Sequence, residues 1–463
     1  MTDTTSAPET FDIVILGGGS GGYACALRAV QLGKTVALVE KDLLGGTCLH
    51  RGCIPTKAFL HAAEIADNAR ESERFGVRAS FDSIDMPGVL AYKDGVVGRL
   101  HKGLQGLVKS GGITYVQGEG RVVARDTVEV EGRRLQGSHL VLATGSTSKS
   151  LPGLEIGGRI VTSEQALALE TVPARVVVLG GGVIGCEFAS VYRSFGSEVT
   201  ITEALPRLVA LEDEAISTAL ARAFKKRKIV AKTGVRFQSA TQSDDAVTVT
   251  LKSGESIEAD LLLVAVGRGP VTAGLGFAEI GVEMDRGFVL TDERCRTDVE
   301  GVHAVGDIVP GLQLAHRGFA QGILVAEDIA GLPVQPLVES GIPRVTYSDP
   351  EIASVGLTEA TAKEQFGADA VESIEFNLGG NGKSQMLATA GFVKVIRRKD
   401  GPVIGIHMIG ARMGEQVGEA QLIVGWEALP EEVAQFLHAH PTQNESLGEA
   451  HMALAGRPLH AHS

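Results

Sequence analysis

Residues 11–40 read FDIVILGGGSGGYACALRAVQLGKTVALVE, and residues 175–203 repeat the plan as RVVVLGGGVIGCEFASVYRSFGSEVTITE. In the first copy an apolar run at 11–16 suits a buried parallel strand. A glycine turn follows at 17–22, then a helical stretch to Leu32 and a second strand at 35–40. The second copy has strand 175–179, glycine turn 180–185, a helix to about Phe195 and strand 198–203. Each copy closes on an acid, Glu40 or Glu203, 23 positions beyond its first glycine. A lone glycine pattern is weak, but this whole sequence of parts, met twice, specifies two dinucleotide-binding βαβ units.

The chemistry asks for these residue types. Gly17 and Gly180 permit the tight turn, Gly19 and Gly182 let backbone approach a pyrophosphate, and Gly22 and Gly185 let helix pack on strand. The helix start then offers N–H groups and the positive end of its dipole to phosphate. Glu40 and Glu203 are placed to accept hydrogen bonds from ribose hydroxyls. A carboxylate at Glu203 repels a 2′-phosphate, which favours NAD over NADP; Arg207, four residues on, is the one feature against.

Composition agrees. The chain has 463 residues, 43 Lys+Arg against 56 Asp+Glu, and a net charge of −13. That balance argues against a nucleic-acid partner, since phosphate backbones need a cationic surface. Apolar residues at 44% suffice for large cores, and 59 glycines are about 13% of the chain, near twice the usual share. No apolar run approaches the roughly 18 residues of a membrane span, and the polar start MTDTTSAPET is no secretory signal. Five cysteines (Cys25, Cys48, Cys53, Cys186 and Cys295) are too few for a disulfide scaffold, so the expectation is a cytoplasmic protein in which a disulfide would be catalytic.

Residues 140–143 and 261–266 read as strands ending in glycine loops at Gly145 and Gly267, each able to return the chain to a nucleotide site. Beyond about Pro343 the nucleotide signatures stop, and alternating segments at 344–347 and 392–396 suggest an α+β domain on an antiparallel sheet.

Between the first acid and the next helix lies GGTCLHRGCIPTK, residues 45–57. Cys48 and Cys53 read as buried packing residues, as metal ligands or as a redox pair. Zinc wants four ligands and no second pair is present, so no metal is expected. A redox disulfide fits better, though not in a regular helix. Five helical residues separate Cα atoms by roughly 8–9 Å, beyond the ~7 Å that a disulfide spans. Gly52 and Pro55 are residues that permit or force a kink there.

GGTCLHRGCIPTK resembles the active-site signature of the FAD-dependent pyridine nucleotide–disulphide oxidoreductases. The resemblance runs through nearly the whole chain, with both fingerprints, Ala143-Thr144-Gly145, Val266-Gly267-Arg268, Ala304-Val305-Gly306-Asp307 and HAHPTQNE at 438–445. It implies an α/β fold of two Rossmann-like domains plus a C-terminal α+β dimerisation domain. The divisions implied are 1–150 for FAD, 151–272 for NAD, 273–342 completing the FAD domain and 343–463 for dimerisation. The first fingerprint would then hold FAD, with Thr47, Gly120, Thr144, Gly145, Asp307 and Ala315 also at the cofactor, and the second would hold NAD, with Gly267 nearby. Cys48 would exchange with a dithiol substrate and Cys53 would face the flavin. Lys57 would lie by the flavin and pair with Glu187.

His440 and Glu445 resemble the family's base pair, H-P-x-x-x-E. A thiol is a poor nucleophile until a base takes its proton, and a carboxylate on the other ring nitrogen fixes the imidazole tautomer. In the family this histidine comes from the partner subunit, which implies a homodimer, and the bond before Pro441 is cis. The nearest likeness is to members that oxidise dihydrolipoamide carried on lipoyl domains of 2-oxoacid dehydrogenase complexes, with their acyltransferase cores as partners, or on a glycine-cleavage carrier protein. A glutathione- or mercuric-reductase-like activity is the alternative, and a non-catalytic nucleotide-binding scaffold the rival of another class. Four residues depart from the pattern: His50-Arg51 stand where Asn-Val is common, Thr56 replaces a Ser, and Gln321 a Glu.

Overall fold

The structure is a computed structural model that describes residues 7–460. The chain divides into two compact units. One is built from residues up to Ala58 with Pro87–Lys149 and Arg268–Glu339; the other has Phe59–Met86, Ser150–Gly267 and the remainder from Ser340.

In the first unit the apolar run becomes the strand Glu9–Leu16, with Ile13, Val14 and Ile15 fully buried. Burying each such side chain contributes about 1.5–3 kcal/mol, which fixes this strand in the middle of its sheet. It pairs in parallel with Val36–Glu40 on one side and Arg133–Leu142 on the other. Thr114–Gln117 and Val302–Ala304 extend the parallel part, and Thr127–Val130 and Gly120–Ala124 add an antiparallel arm. Two helices, Ser20–Gln31 and Ala315–Ile329, meet through glycines. A Cβ on Gly322 would sit 2.2 Å from the Gly21 carbonyl oxygen, so no larger residue allows this contact.

The second unit repeats the βαβ plan. Its five parallel strands run in the order Val230–Thr233, Glu198–Glu203, Arg175–Leu179, Leu261–Val264, Ile160–Thr162. The strand expected over 261–266 stops at Val264, since Ala265 turns into the loop after bonding to Leu179 O. The antiparallel sheet expected in the C-terminal part has five strands, ordered Arg344–Thr346, Glu351–Gly356, Val403–Gly410, Phe392–Arg398, Val371–Asn377. The alternation expected at 392–396 does not hold. Four consecutive residues are buried, among them Lys394 at 5% exposure, because its ammonium is neutralised by Asp213 and Glu359. Among the described residues no helix is long and apolar enough to cross a membrane.

Candidate active site

The two glycine turns are built alike. Gly17 and Gly180 have φ of +109° and +115°, and a Cβ on either would lie 2.2 or 2.3 Å from a carbonyl oxygen, Ala143 O or Ala265 O. A Cβ on Gly22 or Gly185 would strike the Gly17 or Gly180 oxygen at 1.8 or 1.9 Å. A Cβ on Gly182 would meet nothing within 4 Å and one on Gly19 only Gly46 Cα at 4.0 Å; the two glycines begin the helices Ser20–Gln31 and Val183–Phe195, neither start capped by a side chain. Glu40 accepts from Gly18 N at 2.7 Å and from Asp42 N at 2.9 Å; Glu203 accepts from Gly181 N at 2.6 Å and Leu205 N at 2.7 Å. Each acid thus braces its own turn, and a carboxylate keeps further lone pairs for a ribose hydroxyl. Open glycines, uncapped helix starts and a braced acid fit a dinucleotide in both units. Arg207 is occupied by the carbonyls of Ala210 and Glu212, at 2.8 and 3.3 Å.

Gly185→Val is therefore expected to remove nicotinamide nucleotide binding from a chain that keeps its flavin. Retention of full NAD affinity in titrations of the variant would show that helix and strand need no such closeness.

Cys48 lies in the short helix Gly46–His50, and Cys53 opens the helix Cys53–Arg70. The kink expected at Gly52 and Pro55 is a full break, with Arg51 at φ −138° and Gly52 accepting from Thr56 N. Pro55 does not force it; proline sits in the first turn of the second helix, where a missing N–H costs nothing. The break brings the two sulfurs into hydrogen-bonding contact as unbridged thiols. That contact, with burial, holds the Cys48 thiol well above the ordinary range, while the Lys57 ammonium pulls it down.

Asp307, in the turn Gly306–Ile308, accepts from Ser146 Oγ, which in turn accepts from Arg268 Nε at 2.7 Å. Ser146 was missed in the sequence, and its only signal is its place directly after Gly145. Gln321 accepts from Gly306 N at 2.8 Å, a bond that the usual Glu would also make, so this departure costs nothing. Thr144 donates to Val271 O and Ala315 opens the helix after Asp307. Gly120 lies in a strand where a Cβ would be 2.7 Å from Leu16 Cδ1 and 2.8 Å from Val39 Cγ1, so glycine suits the packing there. His50 bonds to Leu44 O and Arg51 pairs with Asp42, so both unusual residues have local partners.

In the second unit Glu187 is 2% exposed and accepts from Tyr347 N at 3.0 Å. His440 Nδ1 lies 2.7 Å from Glu445 Oε1, and Glu445 Oε2 accepts from Thr442 N at 2.7 Å. The His440–Pro441 bond is cis, as is Asp349–Pro350. The imidazole is 77% exposed, with Nε2 turned from its carboxylate. His438 bonds to Glu419, which also accepts from Asn444. The three other cysteines are buried, which pushes Cys25 and Cys295 up to about 12 and raises Cys186 too. Among the described residues no group of acids, histidines and cysteines is set to hold a metal.

A thiol pair beside one dinucleotide fold, in a chain with a second such fold, defines an oxidoreductase that joins dithiol to nicotinamide chemistry. The chain belongs to the pyridine nucleotide-disulphide oxidoreductase family: residues 11–322 match its main domain and residues 342–451 its dimerisation domain. It is 39% identical to the dihydrolipoyl dehydrogenase of Bacillus subtilis, covering 97% of this chain and 99% of that one. To the mitochondrial dihydrolipoyl dehydrogenase of Pisum sativum it is 39% identical, over 98% and 93%. The crystal structure of LpdA from Mycobacterium tuberculosis superposes with a TM-score of 0.89 at 26% identity, over 96% of this chain and 99% of that one. The chain is thus an oxidoreductase using FAD and NAD(H), and its C-terminal sheet domain is the part that forms a homodimer.

Proposed function

We propose that the chain oxidises dihydrolipoamide to lipoamide with reduction of NAD⁺, as the relatives' name describes. The observation that carries this is the Cys48–Cys53 contact at a helix break, beside Lys57 and in the unit with the first glycine turn.

The cycle begins with Cys48 and Cys53 joined as a disulfide. One substrate thiol attacks Cys48 Sγ, giving a mixed disulfide and releasing Cys53 as thiolate, while His440 Nε2 takes the attacking thiol's proton. The second substrate thiol then attacks its own neighbour's sulfur, closing lipoamide and returning Cys48 as a thiol. Cys53, released as thiolate, would then face the flavin. Bound FAD and NAD supply the two-electron chemistry that restores the disulfide. FAD would lie along Gly17, Gly19, Gly22 and Glu40, with Thr47, Lys57, Gly120, Thr144, Gly145, Asp307 and Ala315 around it. NAD would lie along Gly180, Gly182, Gly185, Glu203 and Gly267, and Glu187 would pair with Lys57. His440 and Glu445 would serve the partner's thiols.

The dithiol would arrive on a lipoyl domain of a 2-oxoacid dehydrogenase complex, whose acyltransferase core would hold the dimer, or on a glycine-cleavage carrier protein. Five cysteines in 463 residues are too few for a disulfide scaffold, and we place the chain in the cytoplasm. The purified flavoprotein is expected to form NADH from NAD⁺ and dihydrolipoamide, with NADP⁺ and glutathione far poorer. Preference for glutathione disulfide with NADPH would move it to the reductase branch of the family.

A further inference from the structure

The segment from Leu205 to Asp213 leaves the closing acid of the second glycine turn and folds back over it. Leu208 is buried, and its Cδ2 would lie 2.6 Å from a Cβ on Gly181. Val209 donates its N–H to Gly181 O at 2.8 Å, and it does so at φ +41°. A β-branched residue is a genuine outlier in that region and stays there only if its surroundings over-determine it.

What holds the segment comes from the C-terminal sheet. Arg344 Nε bonds to Glu212 Oε1 at 3.2 Å, with Glu212 at 4% exposure. Lys394 Nζ lies 2.9 Å from Asp213 Oδ1, and both residues are more than nine-tenths buried. Asp213 also caps the next helix through Ala215 N and accepts from Glu359 N, both at 3.0 Å. Two cations of the dimerisation sheet, Lys394 buried and Arg344 largely so, are therefore directed at consecutive buried acids at the end of a strained segment. Burying ion pairs is a poor route to stability by itself, so position is the better account of their use.

We infer that Arg344 and Lys394 are positioning residues for nicotinamide nucleotide binding, which clamp residues 205–213 in the strained form that shapes the second glycine turn. This rests on the reading that Gly180, Gly182, Gly185 and Glu203 hold NAD. With the clamp released Val209 relaxes, the Gly181 carbonyl loses its donor, and the competent form becomes a minor fraction. Apparent affinity falls by that fraction, and strain of this size makes it about tenfold.

The test uses the flavin-loaded dimer. Arg344→Met is expected to raise KM for NAD⁺ about tenfold with kcat within about twofold, and Arg344→Lys to keep KM near the parent value. Lys394→Met alone leaves buried acids unpaired and risks misfolding, so it is made with Asp213→Asn, which keeps a helix cap; Glu359 retains Lys363 at 2.6 Å. That pair is expected to raise KM equally while the rate of flavin bleaching by dihydrolipoamide is unchanged. In a Val209→Gly background, where a left-handed φ costs little, the Arg344→Met effect should shrink to about twofold. Arg397→Met, on the same strand as Lys394 but paired with Glu372 and Glu431, is the control.

A KM unchanged in folded Arg344→Met and Lys394→Met/Asp213→Asn proteins overturns the inference, as does an equal rise in the Val209→Gly background. Glu203→Ala separates the two levels. If it leaves NAD binding intact, the reading of the site fails; if it weakens binding while the clamp variants do not, only the clamp fails.

Discussion

Replacing Cys48 by Ser is expected to cut NAD⁺ reduction by dihydrolipoamide at least about a thousandfold while leaving oxidation of NADH by an artificial dye. An alcohol in place of the thiol can neither form the disulfide nor accept attack at sulfur. The dye reaction needs only a nucleotide and a flavin, whose glycine turns lie on other parts of the sequence. The serine hydroxyl keeps a hydrogen-bond donor beside Cys53, so the loss is of sulfur chemistry alone. Cys53→Ser should be equally inactive toward dihydrolipoamide but should lose the long-wavelength absorbance of a thiolate against oxidised flavin, which Cys48→Ser should retain. Two variants with the same spectrum would mean that the roles of the two sulfurs are not divided in this way. Substantial dihydrolipoamide turnover by Cys48→Ser would remove the disulfide from the mechanism.

The glycine turns were legible because their constraint is local. Gly22 and Gly185 each meet the carbonyl of the residue five positions before them, so spacing alone carries the reason for glycine. The thiols were half legible. Helix geometry said that Cys48 and Cys53 are too far apart in a regular helix, and a break at Gly52 resolves it, but the sequence also offered Pro55 as a cause. What could not be read were contacts made across long stretches of chain. Lys394 looked like the polar member of an alternating strand and is buried, because its partner Asp213 lies 181 residues away. Ser146, between Arg268 and Asp307, has the same character, since a serine after a glycine turn announces nothing about a carboxylate 161 residues on. Val209 carries no signal either. Its backbone strain is set by what covers Gly181 and by what holds Glu212.

His440→Ala is expected to lower dihydrolipoamide turnover about 10²–10⁴-fold, the usual worth of a positioned general base, without changing flavin content. Glu445 fixes the ring through Nδ1, so Nε2 is the nitrogen left for a substrate proton. Burial pushes the Glu445 carboxyl up, but the Thr442 N–H and His440 more than offset it and hold it below its ordinary 4.5. A carboxyl depressed in the folded state contributes stability above its unfolded value and loses it only as pH falls through the folded one. The loop's support is therefore intact across the neutral range, and loss of activity between pH 5 and 7 has to come from another group. The ring's exposure suits a base that works on a second subunit. Dimers that combine a Cys48→Ser chain with a His440→Ala chain test this directly. If His440 serves the partner's thiols, such a dimer has one site with both an intact cysteine pair and an intact base, and random mixing should restore roughly a quarter of parent activity. If His440 serves its own chain's thiols, every site in every mixed dimer lacks one group and activity stays at the level of the inactive parents.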